Sequence, residues 1–378
     1  MDGMYNIKPV KSKKEFNTFL KVPRNIYEGD SNWVPPLDTE IKKILDTKKN
    51  PFFKNAQIKH WILVKGQVAV GRISAILNFD HINYSKKKTG FIGYFECVDD
   101  LKGSNLLFET ACEWLKGAGM NQVWGPINLS TDNECGLLIE GFESPPVVQM
   151  MYNPKYYETL FSNFGFKKEN DLLAFQITEK EYKDKEVLNR LKRLNELVQR
   201  KDGFVFRNFN MKDFNEEVEK VRILFNDYMS GNWGFVPLSK EEFDFTASGM
   251  KKIMDKNYAF IIELHGQAVG FSITIPDINE VLLKMNGKLL PFGIFKYLFN
   301  YRKIKGLRMV LMGVSKPYRQ QGLESFFYYH SILECNRKGI EKVELSWVDE
   351  NNITLINTMK RLNASLYKRY RVYRKNLY

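Results

Sequence analysis

The stretch RMVLMGVSKPYRQQGLESFFYYHSILECNRKGI, Arg308 to Ile340, decides the fold. Its first seven residues, an apolar run from Met309 to Val314 preceded by Arg308, read as a buried strand that breaks at Pro317. From Phe326 the apolar residues recur at helical spacing up to Gly339, a glycine of the kind that stops a helix. Between strand and helix stand Arg319, Gln320, Gln321 and Gly322. A loop that leads from a strand into a helix N-terminus aims several unpaired N–H groups at one point, and the helix dipole adds positive potential there. Such a loop binds an anion, above all a phosphate. Gly322 permits close approach and Arg319 adds charge. No GKS or GKT follows, so it is not a Walker A loop, and it is not a dinucleotide GxGxxG.

Outward from this stretch, the chain repeats itself. FFYYHSILECNRKGIEKV, from Phe326, aligns with LLFETACEWLKGAGMNQV, from Leu106, which places Gly339 on Gly119 and Val343 on Val123. Closer to each copy's start the offset is near 200 residues: KKEFN at Lys13 answers MKDFN at Met211, NWVPPL at Asn32 answers NWGFVPL at Asn232, and KGQVAVG at Lys65 answers HGQAVG at His265. The last pair lies between apolar runs and predicts a strand hairpin in each copy. Each copy reads as strand, helix, a proline-bearing segment, a hairpin, strand, helix, strand, helix and final strand. That order gives the α/β (α+β) class, a mixed sheet flanked by helices in each of two tandem domains. The expected division is 1–179, a polar linker helix at 180–200, and 201–378.

VSKPYRQQGLE resembles the pyrophosphate-binding motif of the GNAT superfamily of acyl-CoA N-acyltransferases, whose pattern is Gln or Arg, two residues, Gly, one residue, then Gly or Ala. GIEKVELSWVDENN resembles that family's fifth strand and the Asn opening its last helix, while GYFECVDD and YYETLFSNFGF mark the same fold in the first copy. The whole chain is similar to bacterial tandem GNAT-like proteins. The resemblance implies coenzyme A or acyl-CoA as donor substrate, with no metal, and direct attack of an amine on the thioester. It also implies that the backbone of Met312 and Val314 pairs with the pantetheine arm, that Arg319, Gln320, Gln321, Gly322 and Leu323 hold the pyrophosphate, and that Asn352 approaches the thioester. Two other readings remain beside this acyltransferase: a Fem-type transferase using aminoacyl-tRNA, against which the coenzyme A loop argues, and a non-catalytic acyl-CoA or lipid-binding protein.

The departures from the family pattern matter equally. Glu324 stands where the motif has Gly or Ala, and the first copy has VDDLKGSN in place of the loop, with Asp99 and Asp100 facing the phosphate position. The first copy is therefore expected to lack a coenzyme A site. Where the family often carries a general-acid tyrosine in its last helix, this chain has Phe161 and Met359. Catalysis must use other groups. In VELSWV, Glu344 and Ser346 alternate with Val343, Leu345 and Trp347. Glu344 reads either as the general base, with Ser346 beside it, or as a salt-bridged strand residue.

A formal charge of +13 favours an anionic partner without choosing one. The aromatic-basic tail YKRYRVYRK reads as a terminal strand, so nucleic acid is not the expected partner; a small or lipid-like amine acceptor is. Four cysteines without CxxC spacing and four histidines without HExxH give no metal motif and no disulfide framework. No signal or membrane-spanning pattern is evident, and a cytoplasmic location is expected. Residues 281–306 are rich in Leu, Phe and Tyr, and read either as a helical pair packed on its own domain or as a lid or peripheral membrane contact.

Overall fold

The computed structural model describes residues 4–285 and 300–378, so most of the apolar segment at 281–306 lies outside the described residues. The chain forms two compact units: Met1–Leu172 with Lys368–Tyr378, and Leu173–Tyr367.

Unit 1 opens with β1 (Tyr5–Pro9) and α1 (Lys13–Ile26), whose start is fixed by a capping box between Ser12 and Glu15. The hairpin read from the sequence follows as β2 (Ala56–Lys65) and β3 (Val68–Asn78), closing at Lys65 opposite Val68. Next come β4 (Thr89–Cys97), α2 (Leu101–Gly117), β5 (Gln122–Gly125), β6 (Leu137–Glu140) and α3 (Tyr157–Asn163). β7 (Lys167–Thr178) runs across the unit boundary. The sheet order in this unit is β1-β2-β3-β4-β5-β13, with β6 also on β13 (Ser365–Asn376). Phe95, Phe108, Tyr157 and Phe161 form an aromatic core between β4, α2 and α3. In the middle of β13 Lys368, Tyr370 and Val372 are buried and alternate with the partly exposed Tyr367, Arg369 and Arg371, of which Arg371 pairs with Asp171 at 2.8 Å. The tail is a strand, as its alternation predicts.

Unit 2 repeats the series. The polar linker is helical, α4 (Lys185–Val198), and leads to β8 (Phe204–Asn208) and α5 (Phe214–Met229). The second hairpin, β9 (Ala259–Leu264) and β10 (Gln267–Pro276), turns through His265 and Gly266. β11 (Gly306–Val314), α6 (Glu324–Lys338), β12 (Lys342–Asp349) and α7 (Ile353–Arg361) complete it, in the sheet order β12-β11-β10-β9-β8. In each unit one pair is parallel, β4 with β5 and β11 with β12, while β1–β2, β2–β3, β3–β4, β5–β13, β6–β13, β8–β9, β9–β10 and β10–β11 are antiparallel. This is the mixed, mostly antiparallel sheet flanked by helices that the repeat predicts. The described ends of the apolar segment pack on their own unit, where Val281, Met285 and Ile304 form a small buried cluster. Among the described residues no helix is long and apolar enough to cross a membrane.

An ion-pair network around the buried Glu217 ties β8 to α5. Arg207 donates to Glu217 at 2.6 and 2.9 Å, and Lys220 adds a third contact at 2.9 Å. Burial alone would raise the Glu217 carboxyl, but the Arg207, Lys220 and Asn210 hydrogen bonds outweigh it and hold it at about 2. A depressed carboxyl stabilises the fold fully above its unfolded value, and that contribution is lost as pH falls through the folded value. Urea unfolding should therefore show the native protein losing stability relative to Glu217→Gln between about pH 5 and about pH 2, with a constant difference above that window. A difference that does not change with pH across this range would refute the assignment.

Candidate functional site

The site grows from the end of a parallel pair. β11 and β12 are in register only from Gly306 opposite Lys342 to Met309 opposite Leu345; β11 then runs on to Val314 without β12. The pair splays into a V whose β11 arm carries Val310, Leu311 and Met312, all partly exposed. On its other edge β11 stays paired, Met312 with Ser272 and Val314 with Gly270. Met312 and Val314 thus keep one backbone edge toward the V.

At the end of that arm the chain makes a short turn at Lys316–Tyr318 and enters α6. Gln320 and Gly322 both have positive φ, 60° and 81°. Among the described residues the N–H groups of Gln320, Gln321, Gly322 and Leu323 have no protein acceptor. Four successive free donors at a helix N-terminus, alternating through left-handed backbone, form an anion-binding concavity. Leu323 contributes its N–H while its side chain is fully buried.

Arg319 does something other than face this concavity. Its guanidinium donates to the Val314 carbonyl at 3.2 Å and the Tyr228 carbonyl at 2.8 Å, and lies 4.9 Å from the centre of the Tyr228 ring. The ring can lie against β11 because Gly313 has no side chain; a Cβ there would come within 2.6 Å of it. Arg319 is thus placed as a brace between α5, β11 and the loop. The cation beside the loop is Lys201, whose Nζ is 2.8 Å from Gln321 Oε1. Glu324 is mostly buried, and its carboxyl is raised by desolvation, against the lowering effect of its own backbone N–H and of Arg319. Asn352 caps α7 by accepting from Leu355 N–H at 3.0 Å.

Glu344 lies opposite Arg308, one rung before the last pair of the β11–β12 register, and is 1% exposed. Ser346 Oγ donates to Glu344 Oε1 at 2.5 Å, and Arg308 Nε donates to Ser346 Oγ at 3.0 Å. Tyr367 turns its hydroxyl onto Glu344 Oε2. The structure therefore brings Glu344 and Ser346 together and adds two groups that the sequence did not single out, Arg308 and Tyr367. Alternation along YKRYRVYRK gives the face of Tyr367 but not its partner.

No family model matches the chain. Over 382 residues it is 33% identical to the bacterial ceramide synthase of Caulobacter vibrioides, spanning 98% of this chain and 97% of that protein. It is 32% identical over 373 residues to protein YghO of Escherichia coli, spanning 97% and 94%. The chain belongs to the family of these two proteins. Among solved structures it is similar to a tandem GNAT protein from the clavulanic acid biosynthesis pathway, with a TM-score of 0.58 at 11% identity over 99% of both chains. It is also similar to a GCN5-related N-acetyltransferase from Sphaerobacter thermophilus, with a TM-score of 0.51 at 14% identity over 99% and 96%. At such identities the likeness is one of fold, and the fold is tandem GNAT.

In this family member the V of unit 1 is filled by its own chain. Ile127 N–H donates to Ile92 O at 2.8 Å, and Asn128 Oδ1 accepts from Tyr94 N–H at 2.7 Å, so the segment after β5 lies along β4. The N-terminus of α2 is occupied too, since Asp100 accepts from Gly103 N–H at 2.7 Å. One turn before Phe161, Tyr157 sends its hydroxyl to Glu96 at 2.7 Å, inside a buried cluster with Tyr27 and Arg72. The four cysteines are free and buried, and burial pushes Cys97, Cys112 and Cys335 up to about 12. Among the described residues no group of acidic, His or Cys side chains is arranged to hold a metal.

Proposed function

We propose that this chain is an acyltransferase that moves an acyl group from coenzyme A, held on the β11–α6 loop of unit 2, to the amine of a lipid-like amino alcohol. The observation that carries the reading is the run of four free N–H groups, Gln320 to Leu323, at the mouth of a splayed parallel pair. Those donors fit a pyrophosphate, with Lys201 beside them, and the free edge of β11 at Met312 and Val314 fits the pantetheine arm. The acceptor class is supported by the relative named bacterial ceramide synthase. A ceramide is an N-acylated long-chain amino alcohol. Unit 1, with its V filled and its α2 terminus capped, is assigned no coenzyme A.

In the proposed chemistry the amine nitrogen attacks the thioester carbonyl and the C–S bond breaks. The nitrogen's proton goes to the Glu344 carboxylate, and the departing sulfur takes the proton of the Tyr367 hydroxyl. Transfer from Glu344 to the tyrosinate along their hydrogen bond restores both groups. Tyr367 would then supply the proton donor that Phe161 and Met359 do not. Ser346 and Arg308 orient Glu344 and steady its charge.

The test is thiol release from acetyl-, octanoyl- and palmitoyl-coenzyme A with a long-chain 2-amino-1,3-diol, with the amide identified by mass spectrometry. One amide per free coenzyme A is expected. Tight coenzyme binding without thiol release for any donor would instead support a non-catalytic binder.

A further inference from the structure

Unit 1 has a cavity of about 330 Å³ whose polar lining comes from Asp30, Glu143, Tyr152, Asn153 and Lys155, with Phe142 as an apolar wall. Its walls are built from anchored groups. Asp30 accepts from Tyr152 OH at 2.8 Å and from Asn32 N–H at 2.9 Å. Asn153 exchanges hydrogen bonds with Leu138 at 2.7 and 3.1 Å. The loop carrying Phe142 and Glu143 is held from behind: Asn32 Nδ2 donates to Phe142 O at 3.0 Å, and the ammonium of Lys368, 1% exposed, donates to the carbonyls of Gly141 and Ser144. Asn32 belongs to the repeated Asn-Trp motif, and the adjacent Trp33 stacks on Tyr27 at 4.9 Å, so this motif builds one side of the cavity.

We propose that this cavity recognises the ammonium-bearing, hydroxylated head of an amino alcohol, as a second binding site built from residues other than those around Glu344, where the reacting amine is placed. The choice of amino alcohol rests on the acyl-transfer reading above; the charge argument stands by itself. Asp30 and Glu143 have no ion-pair partner among the described residues, although the chain carries a net +13. Asp30 receives only neutral donors, so its charge is uncompensated, and each of its oxygens keeps a lone pair for a further donor. The one lysine at the cavity, Lys155, is exposed and lies 5.2 Å from the centre of the Phe142 ring. Two carboxylates against one displaced ammonium favour a cation. The Tyr152 hydroxyl oxygen and the Glu143 carboxylate can accept from ligand hydroxyls, and the Phe142 ring can cover a methylene stem. The volume lies at the small end for ligand pockets, enough for a head group and not for a lipid chain. Glu143 and Lys155 are exposed, which leaves a long tail an exit.

Saturation-transfer NMR on the full chain tests this, with 2-amino-1,3-propanediol, glycerol and glycerol 3-phosphate as separate probes. The aminodiol should be saturated and the other two should not. Asp30→Asn and Glu143→Gln should each weaken aminodiol binding about tenfold, the worth of one charge-assisted hydrogen bond. Because Glu143 is exposed, its variant will fold even where the Asp30 variant does not. Equal saturation of glycerol and aminodiol, preference for the phosphate, or undiminished binding by Glu143→Gln together with a folded Asp30→Asn would overturn the proposal. Coenzyme A titration of the native chain is the separate arm: aminodiol binding without coenzyme A binding retires the acyl-transfer reading and keeps this site, and the converse retires this site alone.

Discussion

Coenzyme A should bind the native chain once and should not bind Gly322→Asp measurably in the same titration. Gly322 sits at φ 81°, in the middle of the four free N–H groups. A Cβ there meets only Val198 Cγ2, at 3.4 Å, so the substitution adds little steric cost beyond the left-handed backbone, roughly 1–2 kcal/mol and less for Asp than for most residues. The carboxylate acts instead by chemistry: it stands beside the donors that the pyrophosphate needs and repels the phosphates. Two charge-assisted hydrogen bonds lost correspond to about a hundredfold or more in affinity. Gly322→Ala separates the causes, because it keeps the backbone strain without the charge and should bind within about tenfold of native. Lys201→Ala should weaken binding by about tenfold, as one cation next to the loop. Native affinity in Gly322→Asp, or two equivalent coenzyme A sites per chain, would end the assignment of the loop.

That loop was legible because its signals are local. A strand, a proline, a glycine and a helix follow one another within Arg308–Lys338, and the positive φ of Gly322 is what a glycine before a helix start is for. The hairpins at Gly66 and Gly266 were legible for the same reason, helped by the repeat. Direction was not legible. A guanidinium serves a carbonyl as readily as a phosphate, and nothing near Arg319 in sequence announces that Tyr228, far upstream, would supply both a carbonyl and a ring for it. Repeat symmetry sets the element order of each copy, but it is silent on which sheet takes the terminal strand; residues 368–378 complete unit 1. The cavity of unit 1 was hidden for a related reason, since Asp30 and Tyr152 meet only after the β-sheet has formed. Lys368 looks in sequence like one more basic residue of the tail, yet it falls on the buried face between the exposed positions and must satisfy its ammonium with loop carbonyls.

The catalytic assignment makes the larger kinetic demand. Glu344→Gln should lower kcat by about a hundredfold or more with little change in coenzyme A affinity, the loss expected when a general base is removed. Gln keeps the shape of Glu344, but its amide offers one acceptor oxygen where the carboxylate offered two, and both Ser346 and Tyr367 donate at this position. One of the two hydroxyls must give up its donated bond and can at best accept from the Gln amide instead. Tyr367→Phe removes the proposed proton donor alone and leaves Glu344 in contact with Ser346, so its kcat should fall by a smaller factor, about tenfold to a hundredfold. The pair also makes a distinctive double-variant prediction: if Glu344 and Tyr367 pass one proton between them, the combined loss should be far smaller than the product of the single losses, because either change already breaks the relay. A structural role gives another pattern. If Glu344 serves only to balance the buried Arg308, Glu344→Gln destabilises the fold and leaves the kcat of the folded fraction intact, and Tyr367→Phe, which removes one hydrogen bond to a buried carboxylate, likewise lowers stability without changing kcat. Measuring kcat at saturating donor and acceptor beside a urea midpoint for each variant distinguishes the two, and unchanged kcat in folded Glu344→Gln retires it as the base.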